Sequence, residues 1–245
     1  MHYSIDLNCD MGEGMANDAL LMPLISSANI ACGYHAGDEN LMQQTIELAL
    51  LHQVKIGAHP SFPDRENFGR TNMHFTAAEV TDMLKIQIEL LSKIALKMNT
   101  RLHHVKPHGA LYNMASKDKT ISSAICTAIF ETDPALVVYA QSGSVLIATA
   151  ESMNLKTCSE VFADRSYQPD GSLTPRSAPH ALLQTEQEVI AQVLQMVLQQ
   201  TVIAENQAIA VKAETICIHG DGVHALDFAK SIYQACKSNH IAIGL

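Results

Sequence analysis

Tryptophan is absent from this chain of 245 residues, and phenylalanine and tyrosine occur only six times each. A core without large aromatics must be built from Ala, Leu and Ile, the composition of a soluble α/β protein. Positive charge is scarce too: Lys and Arg number 16 against 25 Asp and Glu, for a net charge of −9. No basic stripe is available to meet phosphates, which excludes nucleic acid as the main partner. No apolar run approaches the roughly 20 residues that span a bilayer, so no membrane association is expected. The start, MHYSIDLNCD, has neither a charged n-region nor an apolar h-region, and a cytoplasmic location without a secretory signal is the expectation. The six cysteines show no CxxC or zinc-finger spacing and are expected to be reduced, buried thiols. Nucleotide and zinc-protease signatures are missing as well. There is no GxxxxGK[ST] loop, Gly12-Glu13-Gly14 lacks the third glycine of a dinucleotide fingerprint, and no HExxH occurs. With no linker, repeat or composition break, residues 1–245 read as one domain.

What is present is a recurring strand ending. Short apolar segments finish in a histidine, a carboxylate or both: Ile5 to Asp10, Asn29 to Asp38, Ile56 to His59, Val105 to His108, Val161 to Arg165 and Ile216 to Asp221. Such groups are poor strand residues and costly to bury unpaired, so their convergence predicts one shared site. Helical patterns alternate with these strands. Asp38 starts one helix, and Thr76 with Glu79 caps a second that runs to about Met98. Others are expected from Lys117 to Phe130, Gly143 to Met153, Thr185 to Gln200 and His224 to Lys237. Along the first strand Asp6, Asn8 and Asp10 share one face while Ile5, Leu7 and Cys9 share the other. An open sheet covered by helices would want both faces apolar, whereas a barrel tolerates an interior that turns polar toward its top. The prediction is a TIM-like (β/α) barrel of seven or eight strands.

Reactive groups of parallel barrels sit at the carboxyl ends of the strands. That rule gathers Asp10, Glu13, His35, His59, Lys106, His108, Asp164, Arg165, His219 and Asp221 around one mouth, a set suited to acid–base chemistry or metal binding. Lys106 and His108 straddle a proline at a strand end, which packing does not explain. Asp6 and Asn8 read equally as site residues or as a hydrogen-bonded interior layer, and His104 as an interior histidine. Arg65 and Arg70 belong either to a solvated loop or to a clamp on an anionic group. Asp10, His35, His59 and His108 are candidate ligands for a divalent ion, and spacing does not decide whether one is needed.

Several motifs carry a family likeness. DLNCDMGEG (Asp6 to Gly14), SANIACGYHAGD (Ser27 to Asp38), IGAHPSFPDRENFGR (Ile56 to Arg70), HVKPHGALYN (His104 to Asn113), EVFADRSYQPDGSLTPR (Glu160 to Arg176) and HGDG (His219 to Gly222) closely resemble the LamB/YcsF family, over nearly the whole chain. One departure is His180, where the family pattern leads one to expect a glycine. The resemblance implies a fold related to the glycoside hydrolase/deacetylase barrels. It also implies ATP-dependent opening of 5-oxo-L-proline to L-glutamate together with B and C subunits, with ATP, and Mg alongside it, as co-substrate. On that reading Asp10, Glu13, His59, Lys106, His108, Asp164, His219 and Asp221 are catalytic candidates. Asp6, Asn8, His35, Arg65, Arg70, Arg165 and Arg176 are candidates for binding substrate or ATP. A stand-alone metal-dependent deacetylase, or a binder of acidic metabolites without turnover, would use the same residues. Finally, Val189, Ile190, Val193, Leu194, Met196, Val197 and Leu198 spread beyond the roughly 100° stripe that a barrel helix needs. They are read either as deeply buried or as a docking face for a second copy or for the B and C subunits.

Overall fold

The computed structural model describes residues 3–176, 178–218, 220 and 224–244. Six strands run in parallel from the start of the chain: β1 (Tyr3–Met11), β2 (Ser27–Ala31), β3 (Lys55–His59), β4 (His104–Val105), β5 (Val137–Gln141) and β6 (Thr157–Phe162). A separate hairpin follows, β7 (Thr201–Ala204) with β8 (Gln207–Ala210). β9 (Thr215–Ile218) is the seventh parallel strand and closes the barrel, because β1 pairs with β2 on one side and β9 on the other. β10 (Ile241–Ile243) adds to the first residues of β1, below the closing seam. Helices α1 (Asp18–Leu21), α2 (Glu39–Leu51), α3 (Ala77–Lys97), α4 (Gly109–Ala115), α5 (Lys119–Thr132), α6 (Val145–Ser152), α7 (Glu186–Gln199) and α8 (Ala225–Ser238) lie in the connections. No helix among the described residues is long and apolar enough to cross a membrane.

The alternation in β1 sets the barrel's two faces. Ile5, Leu7, Cys9 and Met11 are buried against the helices. Asp6, Asn8 and Asp10 point inward, into an interior that is polar from the base upward. Asp6 accepts from Ser26, Ser27 and Thr215 at 2.7, 2.7 and 2.6 Å. One level higher, the Asn8 amide donates to Glu160 and Thr215, and Asn29 donates to the Asn8 carbonyl. His104 bonds Asn29 at 2.8 Å and stacks on Tyr139, with ring centroids 4.0 Å apart. These groups are buried but paired, which removes most of the cost of burying them. Gly57 is required here, since a Cβ on it would lie 2.3 Å from the His104 ring.

Local sequence explains most boundaries. Both capping boxes form, Thr76 with Glu79 and Thr185 with Glu188, and the Asp38 side chain caps α2. β4 is only two residues long, although Lys106 N–H still donates to Ala58 O before Pro107 ends the ladder. The helix expected from Lys117 to Phe130 is α5, which starts at Lys119 because Asp118 turns its carboxylate onto the N–H groups of Thr120 and Ile121; α4 before it was not foreseen. The antiparallel β7–β8 hairpin was not foreseen; it turns at Glu205-Asn206, both at positive φ (45° and 67°). His180 sits at φ 60°, the left-handed region that favours glycine. All six cysteines are free and buried.

Of the two readings of the apolar residues on α7, the structure favours burial, since none of the seven is fully exposed. Val189, Val193, Met196 and Val197 are buried and Ile190, Leu194 and Leu198 half-buried, because α8 and β7 pack across the helix. Exposed large apolar chains lie on α2, α3 and α5 instead, at Leu51, Ile86 and Phe130.

Candidate active site

The carboxyl ends of the strands open into a cavity of about 670 Å³. One wall is acid and imidazole: Asp10 near the end of β1, Glu13 after it, His59 ending β3 and His108 after β4. Arg165 and Arg176 lie together on the lining, and Arg70 stands over Phe68 beside His108. Lys106 lies at the floor.

Lys106 is buried to 3% exposure and joins the polar interior to the cavity. Its Nζ lies 3.0 Å from Asp10 Oδ1, 2.7 Å from Glu160 Oε1 and 3.1 Å from Asn8 Oδ1. Burial works against its charge, but the Asp10 and Glu160 carboxylates prevail and hold its pKa well above the ordinary lysine value. Burial likewise opposes ionisation of Asp10, yet His59 and Lys106 hold its carboxyl well below the usual range. Glu160 is wholly buried and accepts a 2.6 Å hydrogen bond from the Tyr112 hydroxyl. The Cys217 thiol sits 3.2 Å from Lys106 Nζ, and burial keeps it protonated.

His35, His59 and His108 form a tight group with Glu13. The rings of His35 and His108 stack at 3.8 Å, and His59 meets both edge-on. Glu13 Oε1 is 3.0 Å from His35 Nε2, 3.6 Å from His108 Nδ1 and 4.0 Å from His59 Nε2. Asp10 Oδ2 approaches His59 Nε2 at 3.3 Å. Burial pushes the His35 imidazole far down and that of His108 to about 3, so both are neutral at pH 7. The group closes tightly because residue 69 is glycine at φ 67°: a Cβ there would lie 2.9 Å from both His35 and His108.

Several expected residues lie elsewhere. Asp6 and Asn8 do not line the cavity; they belong to the interior layer below it. His35 stands behind the cavity wall, reaching it only through Glu13 and His108. Arg65 is no clamp on a ligand here, because its Nη1 donates to the carbonyls of Gly33 and Gly37 and braces their loop. Asp164 is half-buried outside the lining, with its carbonyl accepting from Leu183. Glu13 rather than Asp10 completes the four-atom group with the three histidines, all within 4.8 Å of one another. His219 and Asp221 lie outside the described residues. Glu160, Tyr112, Gln141 and Lys117 escaped the sequence reading. Glu160 sits inside a strand rather than at its end, and its only signal was a carboxylate within β6.

Arg165 differs from the other arginines. It is 7% exposed and bonds the Thr174 carbonyl through Nη2, while its buried Nε has no acceptor among the described residues.

A parallel barrel with carboxylates, imidazoles and a buried lysine at its mouth defines a (β/α)-barrel protein with an acid–base site. The chain belongs to the LamB/YcsF family, whose model matches residues 5–244. The 5-oxoprolinase A subunit of Tolumonas auensis is 51% identical over 237 residues, covering 94% of each chain. The lactam utilization protein from Thermus thermophilus superposes with a TM-score of 0.93 at 36% identity, covering 98% of this chain and 99% of its own. A family 4 carbohydrate esterase from Streptomyces lividans, at 10% identity and TM-score 0.53 over 99% of this chain and 92% of its own, shares the fold.

Proposed function

We propose that the cavity binds 5-oxo-L-proline and that the chain acts as the A subunit of an ATP-dependent 5-oxoprolinase, opening the lactam to L-glutamate with B and C subunits. The observation that carries this reading is a cavity at the strand ends lined by Asp10, His59, Lys106 and His108 together with Arg165 and Arg176. The names of the relatives point to the same substrate. A guanidinium fork matches a carboxylate, and the substrate supplies one. Arg176 adds positive charge beside Arg165. With its carboxylate held there, the lactam ring extends toward the acidic wall.

Opening the ring requires water at the lactam carbon, a proton lost from that water and a proton gained by the ring nitrogen. Asp10 suits the first proton, since it is ionised, half-open to the cavity and fixed by Lys106 and Asn29. Lys106 steadies negative charge developing beside Asp10. ATP activates a stable five-membered amide by phosphorylating its oxygen; one water at that carbon breaks the ring C–N bond, a second releases phosphate, and 5-oxoproline, ATP and two waters give glutamate, ADP and phosphate. The cavity is far larger than 5-oxoproline, leaving room for a phosphoryl donor or a partner's loop.

The test is reconstitution with B and C subunits from a relative, following glutamate and ADP from 5-oxoproline. Stoichiometric formation of both is expected, with Asp10→Asn and Arg165→Met each losing activity while remaining folded. Glutamate formed without ATP would replace this reading with an ATP-independent amidase. No glutamate under any combination would refute it. Calorimetry of the isolated chain with 5-oxoproline, ATP and both together assigns each ligand to the polypeptide that holds it.

A further inference from the structure

Two contacts in the mouth cannot be satisfied by hydrogens on neutral residues. His59 Nδ1 lies 2.7 Å from the Lys106 carbonyl, and His108 Nε2 lies 2.9 Å from the Phe68 carbonyl. A carbonyl only accepts, so each of these nitrogens carries its ring's hydrogen. The bare lone pairs of His59 Nε2 and His108 Nδ1 then face each other at 2.9 Å. His35 repeats the pattern. Ser61 Oγ donates to the Phe62 carbonyl and therefore accepts from His35 Nδ1, which turns the His35 Nε2 lone pair onto Glu13 Oε1 at 3.0 Å. These acceptor–acceptor contacts, with Asp10 Oδ2 also 3.3 Å from His59 Nε2, demand extra protons or one cation.

The surroundings favour the cation. Each imidazole is anchored through its other nitrogen, the device by which proteins aim histidines at a metal. Asp10 and Glu13 set two carboxylates directly against the three histidines.

We propose that Glu13, His35, His59 and His108 form a site for one divalent transition-metal ion of the zinc class, with Glu13 rather than Asp10 as the carboxylate ligand. Three imidazoles and one carboxylate suit zinc, cobalt or nickel and not magnesium, which prefers oxygen donors and retained water. Asp10 is held instead by Lys106 and Asn29 through Oδ1, at 3.0 and 2.8 Å. Because Glu13, His59 and His108 line the cavity, an ion held by them faces whatever occupies it. This site does not depend on the lactam reading.

The full chain, stripped with a chelator and desalted, is titrated with Co²⁺ and separately with Zn²⁺. Elemental analysis, visible absorption and thermal unfolding are the readouts, with no substrate present. One equivalent per chain, cobalt d–d bands in the visible and a raised Tm are expected. Glu13→Gln and His108→Ala should each weaken binding by about 100-fold or more, whereas Asp10→Asn and the distant His74→Ala retain the full equivalent. Failure of the folded, unaltered chain to retain either ion overturns the site, and that titration decides alone where a variant does not fold. Retention by Glu13→Gln with loss in Asp10→Asn overturns the ligand assignment. Since substrate is absent, loss of this site and failure of the lactam reaction are separate results.

Discussion

Replacing Lys106 with Met tests whether the floor of the mouth is an ion pair held in place by burial. Lys106 and Glu160 are almost fully buried, and their 2.7 Å contact is joined by Asp10 at 3.0 Å. Met matches much of the aliphatic stem, so packing is largely kept. What goes is the cation, leaving two carboxylates facing each other across an interior that water barely reaches. Removing one partner of a buried pair costs about 3–5 kcal/mol. Glu160→Gln is milder, because Asp10 still neutralises Lys106 and the Gln carbonyl still accepts from Tyr112. Losing one charged acceptor costs about 1.5–3 kcal/mol. The double variant removes both charges and should be more stable than the sum of the single effects by about 1–3 kcal/mol. With no tryptophan in the chain, unfolding in urea is best followed by far-UV circular dichroism, on chelator-treated protein so that metal does not compensate. For m near 3 kcal/mol/M, Lys106→Met should lower the midpoint by about 1–1.7 M. A loss below about 1 kcal/mol, or strict additivity in the double variant, would refute the buried-pair account.

Alkaline stability should fall from a definite point. Burial raises the thiols of Cys32 and Cys126 to about 12 and that of Cys236 to about 11. Groups whose native pKa is raised stabilise fully below their unfolded pKa, about 8.5 for thiols, and that contribution disappears as pH rises through the native values. Tm should therefore decline steadily between pH 8.5 and 11, and a flat profile would contradict the burial. Native protein should also react with Ellman's reagent far more slowly than unfolded protein, which should titrate all six thiols. Gly57→Ala should cost about 1–3 kcal/mol or more by forcing the His104 ring from its place on Tyr139, read as a lowered Tm. Arg165→Lys keeps the charge but loses the planar fork, and in the reconstituted reaction it should raise KM for 5-oxoproline about tenfold or more, with kcat less affected.

The barrel was readable because its evidence is periodic. The Asp6, Asn8, Asp10 face against Ile5, Leu7, Cys9 has no good place in an open sheet, and Thr-x-x-Glu fixes helix starts without tertiary help. The hairpin at Glu205-Asn206 lacks the Asn-Gly pair that announces such turns, so nothing local revealed it. The site divides along the same line. Strand-end position placed Asp10, His59, Lys106 and His108 on the cavity, because the rule for parallel barrels concerns only chain direction. It cannot say how deep a side chain sits. Asp6 and Asn8 share the parity of Asp10 but lie two levels and one level lower, where the layer closes on itself through Ser27, Thr215 and Asn29. Nor can position within a strand reveal a partner supplied from across the barrel. Glu160 on β6 matters because Lys106 after β4 and Tyr112 on α4 reach it, a relation fixed only when the barrel closes. The exchange of Asp10 for Glu13 among the histidines has the same origin. Asp10 is already claimed by Lys106, and the loop after β1 carries Glu13 back over His35 into the place that remains.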